Sequence, residues 1–162
     1  MVDVTEISAI VAAAGVLIGV VYYILDMRNQ NRKRQTDLVM DLYSEAGSKQ
    51  LLEAYNDFFF LDFRNIEDIM KQPQVWVSYN MYCMFYERVG VLLHRKLIDI
   101  ELVDDLFSID IKNVWKKVKP IVEEVRRRGD IWKAYYEWFE YLYTEMEKRE
   151  QKLQQSKISR TT

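Results

Sequence analysis

Apolar side chains are distributed in three ways along this chain, and each predicts a different kind of segment. From Ile7 to Leu25, ISAIVAAAGVLIGVVYYIL, they run on without a charge or a proline. At about 1.5 Å rise per residue, such a run matches the roughly 30 Å hydrocarbon thickness of a bilayer. A helix bonds all its backbone groups internally, as lipid requires, so the pattern predicts a membrane-spanning helix. A cleaved signal peptide has a basic start and a small-residue cleavage site. Here Asp3 and Glu6 precede the run and the basic stretch DMRNQNRKR follows it, which favours a retained anchor.

Beyond Leu25 the pattern becomes amphipathic at helical spacing. A helix over 28–47 carries Leu38 with Leu42, and Val39 with Tyr43 and Ala46, before Gly47 stops it. Ser48 caps the next helix, where Leu51, Tyr55 and Phe58 align with Leu52 and Phe59 beside them. Asn65 caps a short helix at IEDIMK. Pro73 then opens the longest candidate, from about Gln74 to Lys96. Its rows Val75, Tyr79, Tyr82, Tyr86, Val89, Leu93 and Met81, Phe85, Leu92 wrap most of the circumference, the pattern of a central, buried helix. Gly90 inside it costs about 1 kcal/mol relative to alanine unless a neighbouring helix crosses closely there. A short helix after Asp99 and a longer one over 108–128 follow, the latter with Ile111, Trp115, Val118, Val122 and Val125 as its stripe and a kink at Pro120. Gly129 stops it and Asp130 caps a last helix starting at Ile131. That helix carries the stripes Ile131, Tyr135, Trp138, Leu142 and Trp132, Tyr136, Phe139, Tyr143, Met146.

The third regime starts near Gln151, where the apolar signal fades and a mobile polar tail, 151–162, is expected. No alternating strand pattern occurs. The fold class is all-α: a single N-terminal transmembrane helix (1–27), a basic juxtamembrane helix (28–47) and a bundle of four to five helices (48–150).

Charge orients this arrangement. The net charge is −2, but acidic residues precede the span while Arg28, Arg32, Lys33 and Arg34 follow it. By the positive-inside rule the N-terminus lies outside the plasma membrane and the bundle in the cytoplasm, with Tyr22 and Tyr23 at the inner interface. The basic cluster reads first as a solvated flank and second as a site for anionic lipid headgroups. The bundle itself is acidic, which argues against nucleic acid as a partner. The lone Cys83 cannot form an intrachain disulfide, in keeping with a reducing compartment.

Chemistry-bearing residues are sparse. Ser8, Ala12, Gly15 and Gly19 share one face of the span, and the Gly15/Gly19 pair has the spacing that lets two helix backbones approach in lipid. Self-association or packing on a partner's helix is one reading; a passive anchor is the other. His94, the single histidine, follows Glu87 on roughly the same helix face. Such a pair suits acid–base work or part of a metal site. The simpler roles are a cation at a helix C-terminus for His94 and an ion pair with a basic side chain for Glu87. A ferritin-type di-iron site needs two histidines and is excluded. Arg126, Arg127 and Arg128 complement a helix C-terminus in the same way, and Cys83 is expected to fill core space. No catalytic, cofactor or metal site is therefore expected. Were the protein an enzyme, Glu87, Arg88 and Glu140 would be its first candidates. A ligand pocket, if present, would be walled by Tyr79, Tyr82, Tyr86, Glu87 and Trp115.

The run from Phe85 to Phe107, FYERVGVLLHRKLIDIELVDDLF, followed by VWKKVKPIVEEVRRR and YYEWFEYL, resembles an uncharacterised prokaryotic family labelled domain of unknown function 4760. That family's pattern has an N-terminal span, an FFERVG-like helix, a glycine- and leucine-rich turn, a tryptophan segment ending in Lys-Pro and a final FEYL helix. The resemblance covers most of residues 7–147 and implies an anchored helical domain. It implies no activity, because the family has none assigned. Lys96 departs from the pattern, which often has glycine there, so the geometry of that turn becomes a question for the structure. Two functions fit. One is a non-catalytic adaptor or accessory subunit at the cytoplasmic face, docking on a membrane protein or on itself; the other is a membrane-tethered, ligand-sensing bundle.

Overall fold

Six α-helices and one short 3₁₀ turn carry almost all of the described chain, and none of the described residues is in a strand. The computed structural model describes residues 3–63 and 65–161. The side chains of Glu6 and Ile7, at the start of the expected span, and Thr162, at the end of the expected tail, lie outside the described residues. Helix α1 is Val4–Ala46, α2 Lys49–Phe59, α3 Ile66–Met70, α4 Pro73–His94, α5 Ile100–Arg126 and α6 Glu137–Thr161. Two compact units divide the chain, Met1–Asp37 and Leu38–Thr162.

In the first unit, the most hydrophobic 18-residue window of α1 has a mean hydropathy of 2.1, and none of it is buried against protein. An apolar helix with no protein cover suits a lipid environment, and α1 is long and apolar enough to cross a membrane. The helix runs on from the apolar run through the basic stretch as one element.

In the second unit α4 is central, packed chiefly between α2 and α6, while α5 lies against α6. Ten residues of α4 are buried, including the whole first row, Val75, Tyr79, Tyr82, Tyr86, Val89 and Leu93; of the second row only Phe85 is, because Met81 is exposed and Leu92 half-buried. The buried residues interdigitate with Phe58 of α2, Trp115 of α5 and Phe139 of α6, and each large side chain so buried contributes about 2–3 kcal/mol. Aromatic rings dominate this core: Tyr86 stacks on Phe139 at 5.0 Å, Trp115 meets the same ring edge-on at 5.0 Å, and Phe58 meets Tyr79 at 5.7 Å. Val39 and Leu42, near the C-terminal end of α1, are buried in this core as well.

Caps set the boundaries where the sequence placed them. Ser48 Oγ accepts from Leu51 N at 3.3 Å, Asn65 Oδ1 from Asp68 N at 2.9 Å, and Asp99 Oδ1 from Glu101 N at 2.8 Å; Pro73 opens α4.

Three expectations change. The segments 100–107 and 108–128 form one helix, α5, because Ser108 and Asp110 only weaken a helix whose apolar stripe runs on through Phe107, Ile111 and Val114. Pro120 sits inside α5 on its exposed side, where water can take the Lys116 carbonyl that loses its partner. The last helix begins at Glu137 rather than Ile131: residues 130–132 make the 3₁₀ turn, and Tyr136 has a positive φ of 53° that interrupts the helical path. Ile131 and Trp132 consequently leave the expected core stripes and are 85% and 44% exposed. Finally, the segment expected as a mobile tail continues α6 as far as Thr161.

Candidate functional site

Of the residues singled out for chemistry, Glu87, His94 and Glu140 come together at the start of α6, and their geometry there is structural. The backbone N–H groups of a helix's first turn lack intrahelical partners. Tyr136, in the N-cap position of α6, has a positive φ and no capping hydroxyl at its β-carbon. Glu87 of α4 supplies the acceptor instead: its Oε2 takes the Phe139 N–H at 2.7 Å. Burial pushes the Glu87 carboxyl above its usual range, opposed by hydrogen bonds from the Phe139 and Trp138 backbone and by the nearby positive charge of Arg126. Glu87 therefore bonds to backbone rather than forming the expected ion pair.

Three residues further along α4, Gly90 lets the two helices touch. A Cβ at Gly90 would lie 2.0 Å from the Trp138 carbonyl oxygen, well inside van der Waals contact. His94 completes this row, its ring 4.3 Å from that of Trp138 and 5.3 Å from that of Tyr141. Glu87, Gly90 and His94 form one strip of α4 that holds the start of α6.

Arg126 works from the opposite side. Its Nε donates to the Tyr135 carbonyl at 3.0 Å and its Nη1 to Glu140 Oε2 at 2.5 Å, tying the end of α5 to the turn before α6. Arg128 pairs with Glu67 and Glu124, and Arg88 with Glu45. The candidate residues Glu87, Arg88 and Glu140 are thus all engaged in holding elements together.

Tyr82, Tyr86 and Trp115, proposed as pocket walls, are 5%, 2% and 1% exposed and pack as core. Cys83 is fully buried, and burial pushes its thiol well above the ordinary range. Among the described residues no group of three His, Cys, Asp or Glu side chains is arranged to hold a metal ion.

Two contacts carried no local sequence signal. Lys117 reaches from α5 to the C-terminal end of α2, where its ammonium donates to the carbonyls of Phe59 and Leu61 and faces the rings of Phe58, Phe59 and Phe63 at 5.0–5.6 Å. Asp57 accepts from Gln74 at 3.2 Å and Ser78 at 3.3 Å, which satisfies the buried serine. Both join residues far apart in sequence, so no short window contains them.

In the first unit, Ser8, Ala12, Gly15 and Gly19 are exposed on α1, and a Cβ added at Gly15 or Gly19 meets nothing within 4 Å. Arg28, Arg32, Lys33 and Arg34 are also exposed.

A family model described as Domain of unknown function (DUF4760) matches residues 9–146. The chain belongs to that family. The DUF4760 match takes in nearly all of the apolar run and ends within α6, so the apolar helix and the bundle fall within one family match. The α4 strip Glu87, Gly90 and His94 and its α6 counterpart all lie inside it. No curated protein and no solved structure matches the chain.

Proposed function

We propose that this DUF4760 protein is a non-catalytic, single-pass adaptor or accessory subunit of the plasma membrane, with its N-terminus outside and its helical bundle on the cytoplasmic face. The acidic start and basic flank of the span support that orientation. The observation that carries the adaptor reading is the outer face of α4. Val77, Met81 and Met84 recur there at helical spacing and are 50%, 36% and 64% exposed, on the helix that is otherwise the most buried of the bundle. An apolar stripe on a core helix is the kind of surface a protein partner covers, and methionines adapt to varied partners. The charged groups with candidate chemistry are already committed to packing, which supports a binding role over a catalytic one. The small-residue face of α1, with Gly15 and Gly19, provides the second contact, within the bilayer.

The test is association of the full chain in its native membrane. Replacing Val77 and Met84 together by glutamate should abolish co-purification of a defined partner, or of a second tagged copy, and leave the melting temperature within a few degrees, since both sites are exposed. Unaltered association would overturn the reading.

A further inference from the structure

A half-open cavity of about 360 Å³ lies outside the Glu87 cluster, bordered by α3, the start of α4, the end of α5 and the turn before α6. Its size falls within the range of small-molecule sites, about 300–1,000 Å³. Ile66, Met70 and Val125 supply aliphatic wall, Trp76, Trp132 and Tyr135 supply flat faces, and Asn80 and Arg128 are its polar members. We infer that this cavity is a binding site for a neutral, flat aromatic molecule carrying one hydrogen-bond acceptor.

Shape favours a flat ligand. Two indoles and a phenol line one small volume, and Trp132 stands edge-on to Tyr135, with ring centroids 6.0 Å apart and planes at 88°. A planar ring can stack on one of these faces while meeting the edge of another, the two arrangements aromatic pairs prefer. Trp132 is 44% exposed and Met70 56% exposed, so the opening is apolar too.

Electrostatics favours neutrality. Arg128 is the charged residue among the described lining, and its guanidinium is taken by Glu67 and Glu124. A carboxylate entering the cavity finds that cation already paired, and an ammonium finds no carboxylate among the described lining residues. Either would leave water without a counter-charge, which is costly.

The hydrogen-bonding pattern favours an acceptor. Asn80 uses one amide hydrogen on the Trp76 carbonyl at 2.7 Å and its oxygen on the Tyr136 hydroxyl at 3.0 Å, leaving its second amide hydrogen to donate. Asn80 lines the cavity, so an incoming carbonyl can take that hydrogen.

This site is independent of the adaptor surface. Its cavity residues lie on four elements, and none belongs to the Val77, Met81, Met84 face. It also differs from the Tyr82, Tyr86, Glu87, Trp115 wall read from sequence, whose aromatic residues are packed solid.

The probe is naphthalene-2-carboxamide, titrated by calorimetry into the full chain in lipid nanodiscs, with empty nanodiscs as the blank. Saturable binding at one site per chain is expected. 2-Naphthoate and 2-naphthylmethylammonium should bind at least about tenfold more weakly. Met70→Trp, which fills the opening from a solvent-exposed position, should remove binding with the melting temperature unchanged. Trp132→Ala, also at an exposed position, should weaken binding about tenfold or more by removing a stacking face. Absence of saturable carboxamide binding overturns the site, as does equal binding by both variants. Binding of the naphthoate or the ammonium as tight as that of the amide overturns the neutral class.

Discussion

Gly90 is the residue on which the close approach of α4 and the start of α6 depends. Its missing side chain admits the Trp138 carbonyl to a place where a methyl group would sit 2.0 Å from oxygen, and the obstacle is backbone, which cannot rotate aside. Gly90→Ala, which would help an isolated helix by about 1 kcal/mol, should here cost about 3 kcal/mol and lower the melting temperature by several degrees in a thermal scan. The opposite sign is expected at Lys96. This residue ends α4 with φ 56°, its N–H bonded to the Leu93 carbonyl while the Leu97 N–H bonds to that of Leu92. That is the helix-ending motif in which glycine is favoured, and a lysine holds the position against a steric penalty of about 1 kcal/mol. Lys96→Gly should raise stability by about that amount, read as a higher urea midpoint at unchanged slope. The turn thus keeps the glycine-type geometry that the family pattern suggested, with the backbone strain that glycine would avoid.

Among the elements, α6 diverges most from its sequence pattern. Trp132, Tyr136 and Phe139 carry helical spacing, and periodicity alone extends the helix back to Ile131. The element begins later because its first turn is fixed by groups on other helices: Glu87 accepts the Phe139 N–H and Arg126 holds the Tyr135 carbonyl. Neither partner is visible in a local window. For the same reason Ser48, Asn65 and Asp99 were legible, since each caps from within its own few residues. The Glu87 contact also has a pH signature. Its carboxyl titrates above its unfolded value, so the folded state takes up the proton more readily. That contribution to stability is complete below about pH 4.3 and is lost as pH rises through the raised value. Glu87→Gln keeps an acceptor for Phe139 and removes the ionisation. The stability difference, variant minus wild type, should therefore grow with pH across this window in urea titrations. A pH-independent difference would exclude Glu87 as the source. Glu67 and Glu150, held low by Arg128 and Lys112, act with the opposite sign below the ordinary carboxylate value and cancel in the comparison.

At the scale of the whole molecule, the division into an uncovered apolar helix and an aromatic bundle was legible, because both depend on composition and periodicity over tens of residues. The cavity under Trp132 was not, since its walls come from residues 66 to 135 and exist only once α3, α4 and α5 are packed. The α1 face with Gly15 and Gly19 remains open to a neighbouring helix, and association through it predicts that replacing both by isoleucine lowers the dimer fraction in mild-detergent sedimentation by about tenfold. Unchanged oligomer size would make α1 a passive anchor. The burial of Cys83 bears on this whole-molecule picture in one further way. A thiol that is fully enclosed and held protonated offers oxidants, metals and glutathione nothing to react with. The fold is therefore indifferent to the redox poise of the compartment that holds it.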